Sequence, residues 1–377
     1  MQDALSQLRP LLLGAPGVRA VVPAPRGAPP ELRRVLLSAQ AVPPAAASGD
    51  AALPPRLAAF LAAPRDAPAT LVRHELRLPY DAMSAAVALR LLLPPGVAAP
   101  SSFEEVGHIV HLNLRAPQLP WARLIGAVLL DKSARAATVV NKAGELEGPH
   151  RTFALQLLAG EARYGARVSE GGALYDVDVS AVYWNSRLGS ERARLVARFA
   201  PGETVLDLCA GVGPIAIAAA RAGCTVLAND LNPAAATALR SNAALNGVAS
   251  AVRVFNGDGV AVARQLLAQA QPPPLAHVVA NLPGGAPELV GAALARAFPR
   301  AAWGDRPLPH CHVYAFSKAA VPEEDVLRRC AAALRVPPQA LQDVQFATVR
   351  EVAPGKPMLR ASFRIPPQAA FDDAPEM

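Results

Sequence analysis

Four short stretches in the second half of the 377-residue chain carry residues suited to binding a nucleoside, and each follows an apolar run. They are the turn Gly211-Val212-Gly213, Asp230, Asp258 and Asn281. Glycines leave the backbone of a turn open to a ligand, a carboxylate accepts hydrogen bonds from ribose hydroxyls, and Asp258 is suited to an adenine amino group. Together these positions predict a ligand that contains a nucleoside.

The choice between a dinucleotide and a methyl donor depends on two positions. Position 216 is Ala, so the strict GxGxxG pattern is absent, although alanine there is compatible with NAD. Asn281 favours S-adenosylmethionine, because a methyl donor needs a polar group beside the methyl to orient the acceptor. The alternatives are a turn residue for Asn281, a turn acid for Asp258 and an acid at a helix N-terminus for Asp230.

Strand and helix patterns alternate around these positions. We predict strands over 203–210, 224–230, 252–256, 276–280 and 312–317. We predict helices over 215–221, 234–245, 260–271, 288–298 and 323–334. Two further strands, 344–352 and 358–365, have no helix between them. The pattern predicts an α/β, Rossmann-like domain with a mostly parallel, doubly wound sheet and an antiparallel C-terminal edge.

Composition narrows the class of protein only slightly. Lys and Arg number 37 against 30 Asp and Glu, and this net charge of +7 is compatible with nucleic-acid binding without requiring it. Cys311 lies between two histidines, but neighbours on a strand point to opposite faces, so we expect a strand and no metal site. There is no apolar run of about 18 residues for a membrane span, and no clear signal peptide.

The first half of the chain is harder to interpret because it is rich in proline and alanine. Extended or helical segments are candidates over 18–22 and 33–37. Patterns further along predict a helix over 80–93, a strand over 109–114 and a helix over 121–131. The region therefore precedes the Rossmann-like domain as one or more smaller α+β domains.

Ten motifs resemble those of the archaeal–eukaryotic tRNA (guanine-37-N1)-methyltransferases, and SSFEEVGHIVHLNLR resembles the eukaryotic branch in particular. The motifs are VGHIVHLNLR, LIGAVLLDK, VVNK, LLAGE, VYWNSRLGSER, DLCAGVGP, ANDLNP, FNGDG, NLP and VREVAPGKPM with SFRIP. They lie in register over residues 75–366, whereas Val18-Arg19 and the run after it give only a faint match. Three details depart from the family pattern, namely Cys209, Ile215 and the Gly-Gly-Ala-Pro run after NLP, and we expect them to affect packing alone.

The resemblance implies S-adenosylmethionine as cofactor and a tRNA with G37 as partner. It divides the chain into a tRNA-recognition domain (1–75), a middle α+β domain (76–178), the methyltransferase domain (179–366) and a disordered tail (367–377). We expect a monomer, with no membrane association. The expected localisation is cytoplasmic, with the nucleus and mitochondrial matrix as further compartments.

Guanine N1 carries a proton at neutral pH, so its methylation needs a base for that proton and a cation for the charge that develops on O6. The resemblance implies Glu191 as the general base, Arg151 as the cation at O6, and Asn281 as the group that holds the guanine edge. Without the resemblance, Glu191 would be interpreted as a helix cap or ion-pair partner of Arg192 and Arg194. Arg151 would be interpreted as a surface residue.

The remaining site residues also come from the resemblance. The expected cofactor contacts are Tyr183, Asp207, Gly211, Gly213, Asp230, Leu231, Asp258, Gly259 and Asn281. The expected substrate contacts are Arg115, Lys142, Arg187 and Pro283, with Lys132, Arg163 and Arg167 as further candidates for tRNA phosphates.

Three other functions compete with methyl transfer to tRNA. The wybutosine-pathway transferase resembles this family and moves an aminocarboxypropyl group, but its NSRL and NLP motifs differ. A tRNA-binding relative without catalysis would not need the intact nucleoside-binding positions. A small-molecule methyltransferase would not need the first 180 or so residues, about a domain in length.

Overall fold

The computed structural model describes residues 6, 8–13, 20–23, 27–29, 33–63, 69–74, 79–147 and 152–373. The chain divides into two compact units, one made of Met1–Ser101 with Arg115–Ala134 and the other of Ser102–Leu114 with Arg135–Met377. The predicted division at residues 75, 178 and 366 stays a prediction. None of the helices in the described ranges is long and apolar enough to cross a membrane.

The first unit contains one short antiparallel strand pair and several helices. Its elements are β1 (Val21–Pro23), β2 (Arg33–Val35), α1 (Pro55–Ala62), α2 (Ala85–Leu92) and α3 (Ala122–Lys132). Val18 and Arg19 lie outside the described residues. The helix predicted over 121–131 is confirmed as α3.

The helix predicted over 80–93 is interrupted. A 3₁₀ turn covers Tyr80–Ala82, and α2 then begins after Ser84, whose Oγ accepts a hydrogen bond from the Val87 N–H at 3.3 Å. A serine that caps a helix in this way competes with continuation of the helix through it. The apolar pattern alone did not reveal this boundary.

The second unit contains the large sheet and its helices. Its strands are β3 (Glu104–Val106), β4 (Ile109–Leu112), β5 (Thr138–Glu147), β6 (Thr152–Gly160), β7 (Gly165–Glu170), β8 (Ala173–Asp178), β9 (Thr204–Asp207), β10 (Thr225–Asp230), β11 (Val252–Asn256), β12 (Leu275–Ala280), β13 (His310–Phe316), β14 (Gln342–Ala353) and β15 (Lys356–Arg364). Its helices are α4 (Gly189–Val196), α5 (Pro214–Arg221), α6 (Pro233–Leu245), α7 (Gly259–Leu267), α8 (Ala286–Leu294), α9 (Arg300–Trp303), α10 (Pro322–Ala333) and α11 (Pro367–Ala370).

A seven-stranded sheet forms the centre of this unit, in the order β11-β10-β9-β12-β13-β15-β14. The first five strands are parallel, whereas β15 runs antiparallel to both β13 and β14. The predicted doubly wound sheet with an antiparallel C-terminal edge is therefore confirmed. The strand order reverses next to β9, and ligands of such sheets bind outside the carboxyl ends of the strands at this switch point.

Both faces of the sheet are buried, because neighbouring residues on each strand point to opposite sides. Leu206 and Val278 pack into one apolar cluster with residues of α7, α8 and α10. Val205 and Val279 pack into a second cluster with residues of α4, α5 and α6. The middle of each strand is therefore apolar, and polar side chains are confined mainly to the strand ends.

A smaller sheet and a hairpin complete the second unit. The smaller sheet has the order β3-β4-β5-β6, and β7 pairs with β8 as an antiparallel hairpin. Ile109 and Tyr175 belong to the same apolar cluster as Val205. These elements therefore share a core with one face of the large sheet.

The chain after residue 366 is ordered as far as the description extends. Pro367–Ala370 forms α11, and Phe371 is 6% exposed and forms a parallel bridge with Phe298. The Phe298 N–H also donates to the Ala370 carbonyl oxygen at 3.0 Å. The prediction of a disordered tail is wrong for residues 367–373, because Phe371 anchors them in the core. Residues 374–377 lie outside the described residues.

A buried histidine pair links β12, β13 and β15 at the end of the sheet where β12 and β13 begin. His277 Nδ1 lies 3.1 Å from His312 Nε2, His277 Nε2 lies 3.0 Å from Glu203, and His312 Nδ1 lies 2.9 Å from Ser362 Oγ. All of these contacts are satisfied at once when both rings are neutral, with Ser362 donating to His312, His312 to His277, and His277 to Glu203. Burial, reinforced by the charge of a protonated His277, lowers the pKa of His312 well below its ordinary value.

Strand β13 begins at His310, so the interpretation of the His310-Cys311-His312 triplet as part of a strand is confirmed. Within the described part of the chain, no group of three or more His, Cys, Asp or Glu could hold a metal ion. Cys311 is a free, buried thiol, and burial raises its pKa above the ordinary value.

We predict that His312→Gln flattens the dependence of stability on pH. Above the unfolded pKa of about 6.5 the ring is neutral in both states and has no effect on this dependence. Below it, the unfolded chain binds a proton that the folded chain rejects, so the wild type loses about 1 kcal/mol through His312 between pH 7.5 and 5.5. Urea unfolding across this range measures the slope. The exposed His74→Gln serves as the matched control, and an unchanged slope in His312→Gln would contradict this account.

Candidate active site

The glycine turn between β9 and α5 is shaped for close approach of a ligand. Gly213 has φ +96°, and a Cβ added there would lie 2.1 Å from Leu239 Cδ1. Gly211 has φ +57°, and a Cβ added there meets no heavy atom within 4 Å. Glycine is therefore required at Gly213 by conformation and packing, while the space in front of Gly211 is open to a ligand.

Asp230, at the end of β10, stabilises this turn through a hydrogen bond. Its Oδ2 accepts a hydrogen bond from the Gly211 N–H at 2.7 Å, and its Oδ1 accepts one from the Asn232 N–H at 2.9 Å. The cap of α6 is Asn232, which accepts the Ala234 N–H at 3.0 Å, so Asp230 lies two residues before the helix cap and does not itself cap the helix. A carboxylate oxygen can accept more than one hydrogen bond, so Asp230 can still accept from a ligand. Leu231 beside it is 44% exposed.

Asp258 and Gly259 lie where β11 leads into α7. Asp258 Oδ1 accepts the Ala261 N–H at 2.9 Å and caps the helix, and the side chain is exposed. A local structural role, here as a helix cap and not as the turn acid considered from sequence, therefore accounts for one oxygen of Asp258. A Cβ on Gly259 would lie 3.2 Å from the Leu208 carbonyl oxygen, so glycine lets α7 begin close to the end of β9.

Asn229 connects these strand ends through hydrogen bonds, and it was not among the site residues predicted from the sequence. The residue is 1% exposed, and its Nδ2 donates to the carbonyl oxygens of Leu208 at 3.2 Å and Gly257 at 3.1 Å. It thereby fixes the segments after β9 and β11 relative to β10. A polar residue inside an otherwise apolar strand, as in the run ANDLNP, was the available indication.

Asp207 ends β9 and is 1% exposed. Its Oδ1 accepts the Cys209 N–H at 3.3 Å, inside the chain segment that forms the glycine turn. The pKa of Asp207 is raised to about 7, mainly by burial and to a smaller extent by the charge of Asp230, against the opposing effects of the Cys209 hydrogen bond and the charge of Arg192. Asp207 is therefore a group that can carry a proton near neutral pH.

Asn281 follows β12 directly, at the same edge of the sheet. Its neighbour Ala280 pairs with Val313 on β13, so Asn281 lies next to the strand that carries Tyr314. Asn281 is partly buried, and among the described residues its side chain makes no hydrogen bond. The turn after it is held by the Phe316 N–H, which donates to the Pro283 carbonyl oxygen at 3.2 Å. The amide is thus positioned by the backbone and available to a ligand.

Glu191 on α4 reaches the strand next to Asn281. The side chain is 3% exposed, and its Oε1 accepts a hydrogen bond from the Tyr314 hydroxyl at 3.1 Å. Arg360 Nη1 lies 2.8 Å from the same oxygen, and Arg194 Nη2 lies 3.3 Å from Oε2. The ion pair expected with Arg194 is present, but Arg192 pairs instead with Glu170 at 2.7 Å.

The other predicted site residues are less closely grouped. Arg151 lies outside the described residues, and Arg115 belongs to the first unit. Tyr183 is 47% exposed, its hydroxyl accepts from Asn185 Nδ2 at 3.1 Å, and Arg187 is exposed.

Four of the basic residues predicted to contact phosphates already have partners in the described structure. Lys142 lies 3.7 Å from Glu104, Arg163 lies 3.2 Å from Glu161, and Arg167 lies 2.7 Å from Asp176. Lys132 packs over the Tyr80 ring at 3.7 Å.

Asn242 on α6 connects the glycine turn to the β7–β8 hairpin. It is fully buried; its Oδ1 accepts the Asp176 N–H at 2.8 Å, and its Nδ2 donates to the Asp176 carbonyl oxygen at 3.1 Å. The same Nδ2 donates to the Val212 carbonyl oxygen at 3.1 Å. The side chain thus pairs with β8 as a strand would, while it also holds the middle residue of the turn.

The strand order and the glycine turn define a Rossmann-like methyltransferase domain. The family model described as the TRM5/TYW2 methyltransferase domain matches residues 166–301, and the TYW2 N-terminal domain matches residues 90–163. The chain belongs to the TRM5/TYW2 family.

Three relatives illustrate this membership. The tRNA (guanine(37)-N(1))-methyltransferase of Danio rerio is 41% identical over 304 residues, which is 79% of this chain and 63% of the relative. The crystal structure of Trm5b from Pyrococcus abyssi is 27% identical, with a TM-score of 0.59 over 71% of this chain and 76% of that chain. The complex of aTrm5 with tRNALeu is 20% identical with a TM-score of 0.62, covers 97% of this chain and 96% of that chain, and shows the shared fold.

The chain spans about half to two thirds of the length of the curated relatives that it matches. The two matched segments include nine of the ten motifs that carried the sequence resemblance. The predicted family and its eukaryotic branch are confirmed.

We predict that Asn242→Ala destabilises the protein by about 2–3 kcal/mol, because it leaves buried backbone groups of Asp176 and Val212 without partners. Chemical unfolding of the two proteins measures the difference. The matched control is Asn246→Ala at the C-terminal cap of the same helix. Its side chain pairs with the more exposed Leu174 backbone, and its loss should cost under about 1 kcal/mol. Equal losses in the two variants would contradict the role given to Asn242.

Proposed function

We propose that the protein transfers a methyl group from S-adenosylmethionine to N1 of guanine 37 in tRNA. The observation that carries this proposal is the convergence of Asp230, Asp258, Asn281 and the glycine turn at one edge of the sheet, with Glu191 beside them. Curated relatives at about 40% identity, which are tRNA (guanine(37)-N(1))-methyltransferases, support the same reaction.

The geometry of the glycine turn fits the proposed cofactor. The open space at Gly211 leaves room for the ligand beside the backbone, and Asp230, held by two backbone N–H groups, can accept from its ribose hydroxyls. Asp258 is exposed for the adenine edge, and Leu231 offers apolar surface. Bound S-adenosylmethionine supplies a methyl group on a positively charged sulfur. Solved relatives described as bound to adenosine or to MeSAdo support this choice.

Glu191 and Asn281 are the residues that act on the acceptor guanine. Glu191 takes the proton from guanine N1, and the N1 electron pair then forms the bond to the methyl carbon as the carbon–sulfur bond breaks onto sulfur. The side-chain amide of Asn281 makes no hydrogen bond within the described structure. It holds the guanine edge in line with the methyl group. Arg151 is the proposed cation at O6, on the strength of the sequence resemblance.

The proposed partner is tRNA, bound in part through its phosphates. The excess of 37 basic over 30 acidic side chains is compatible with this. Arg163 and Arg167 are exposed, and exposed ion pairs contribute little stability, so their present carboxylate partners can be exchanged for phosphates. Such contacts make binding weaken as salt increases.

A second candidate is transfer of the aminocarboxypropyl group of the same cofactor at tRNA position 37. It is favoured by the match of residues 90–163 to the TYW2 N-terminal domain. The two reactions break different bonds at the same sulfur, so the position of an isotopic label in the cofactor distinguishes them.

We expect methyl-labelled S-adenosylmethionine to label an unmodified tRNA transcript with G37 and not its A37 counterpart. Mass analysis of the nucleosides should identify N1-methylguanosine as the product. The control is cofactor labelled in the carboxyl group, which should leave the same transcript unlabelled.

Label from the carboxyl group in the tRNA would favour the second candidate. Binding of the cofactor without label from either source would contradict both transfer reactions on this substrate. Label on both transcripts would contradict the assignment to guanine 37.

A further inference from the structure

Two buried side chains from neighbouring strands reach the same oxygen of Glu191. Tyr314 on β13 is 1% exposed and donates its hydroxyl proton to Oε1 at 3.1 Å. Arg360 on β15 is 6% exposed, and its Nη1 lies 2.8 Å from Oε1. Neither residue was singled out by the sequence. A buried carboxylate on α4 is therefore attached to the central sheet at two points.

The register of the sheet explains why both groups arrive together. Tyr314 and Arg360 are directly paired across the antiparallel β13–β15 ladder, so their side chains emerge on the same face. Burial, with a further contribution from the charge of Glu191, raises the pKa of Tyr314 well above its ordinary value. Its hydroxyl therefore keeps its proton and remains a donor to Glu191 at any pH at which the protein would work.

The two oxygens of Glu191 have different surroundings. Oε1 has the tyrosine hydroxyl and the buried guanidinium, whereas Oε2 is buried and has no hydrogen-bond partner among the described residues. Arg194 on the same helix approaches Oε2 to 3.3 Å, but its side chain is 58% exposed. Arg194 is thus the exposed member of this network, and an incoming substrate can replace it beside Oε2.

We propose that Arg360 and Tyr314 are positioning residues that hold Glu191 through Oε1 and reserve Oε2 as the atom that accepts the guanine N1 proton. This inference rests on the proposed methyl transfer. In that step the N1–H bond breaks, its proton forms a bond to Oε2, and the N1 electron pair is used to bond the methyl carbon. Arg360 also places a positive charge 2.8 Å from the buried carboxylate, which compensates its negative charge.

A purely structural ion pair would behave differently in one measurable respect. Loss of a structural pair lowers the rate by the same factor at every pH, because it affects how much enzyme is correctly folded. Loss of a cation that compensates the charge of a buried base moves the acid limb of the pH–rate profile to higher pH, because an uncompensated buried carboxylate protonates more easily. Among the described residues, the charged and titratable groups that contact Glu191 are Tyr314, Arg360 and Arg194, so they are the ones to vary.

The test is the single-turnover rate of methyl transfer to the G37 transcript between pH 5.5 and 9, at saturating enzyme and cofactor. For Arg360→Met we expect a rate at neutral pH about 10- to 100-fold lower, and an acid limb about one pH unit higher or more. In Arg360→Lys the acid limb should lie close to its wild-type pH. Tyr314→Phe should shift the acid limb by less than Arg360→Met does. The matched control is Arg364→Met on the same strand, whose side chain contacts His310 and Asp343 and should leave the limb in place.

The affinity for S-adenosylmethionine, measured by calorimetry, should stay within about twofold of wild type in every variant, since none of these residues lies at the glycine turn. Rates that fall without any movement of the limb in Arg360→Met and Tyr314→Phe would overturn the inference while the proposed function stands. If Arg360→Met does not fold, Tyr314→Phe and Arg360→Lys decide the question by the same criterion. A wild-type enzyme that forms no N1-methylguanosine would overturn the proposed function, and this inference with it.

Discussion

Parallel pairing of β9, β10 and β12, buried on both faces, is the constraint on which the site depends. Helices cover both sides of these strands, so a polar group in the middle of a strand would be costly to bury. The polar residues Asp207, Asp230 and Asn281 are therefore placed at the carboxyl ends, which meet at one edge of the sheet. The hydrogen bonds of Asp230 and Asn229 then convert neighbouring strand ends into one rigid surface. The location of the nucleoside-binding residues therefore follows from the burial of both faces of the sheet.

The same constraint made the sheet and half of the site predictable from sequence. Short apolar runs that alternate with helical patterns placed every strand of the large sheet within a few residues, and each candidate polar residue stood directly after a run. The glycine turn and the polar residues after the strands lie close to those strands in the sequence, so a pattern along the chain contains them. The tight contacts that a Cβ on Gly213 or Gly259 would make are with Leu239 and the Leu208 carbonyl oxygen, which are distant in sequence, so no local pattern reveals them.

Features that depend on distant residues were not predictable in this way. Without the family resemblance, Glu191 would be interpreted as a partner of its neighbours on the helix, but its buried partners Tyr314 and Arg360 come from strands near the other end of the domain. The bonds from Asn242 to the hairpin and to the glycine turn likewise join three separate segments. Apolar residues such as Phe371 also gave no hint of their partner, so the ordered C-terminal segment was assigned to a disordered tail.

The central claim is that this sheet edge activates guanine N1 through the carboxylate of Glu191. The most direct measurement compares single-turnover methyl transfer by Glu191→Gln and wild type, with the affinities for cofactor and tRNA measured on the same proteins. Glutamine keeps the shape and can still accept from Tyr314, but it cannot take a proton. The account predicts a rate lower by about 10²–10⁴-fold with both affinities nearly unchanged. A rate within a few fold of wild type would contradict it and would require another base.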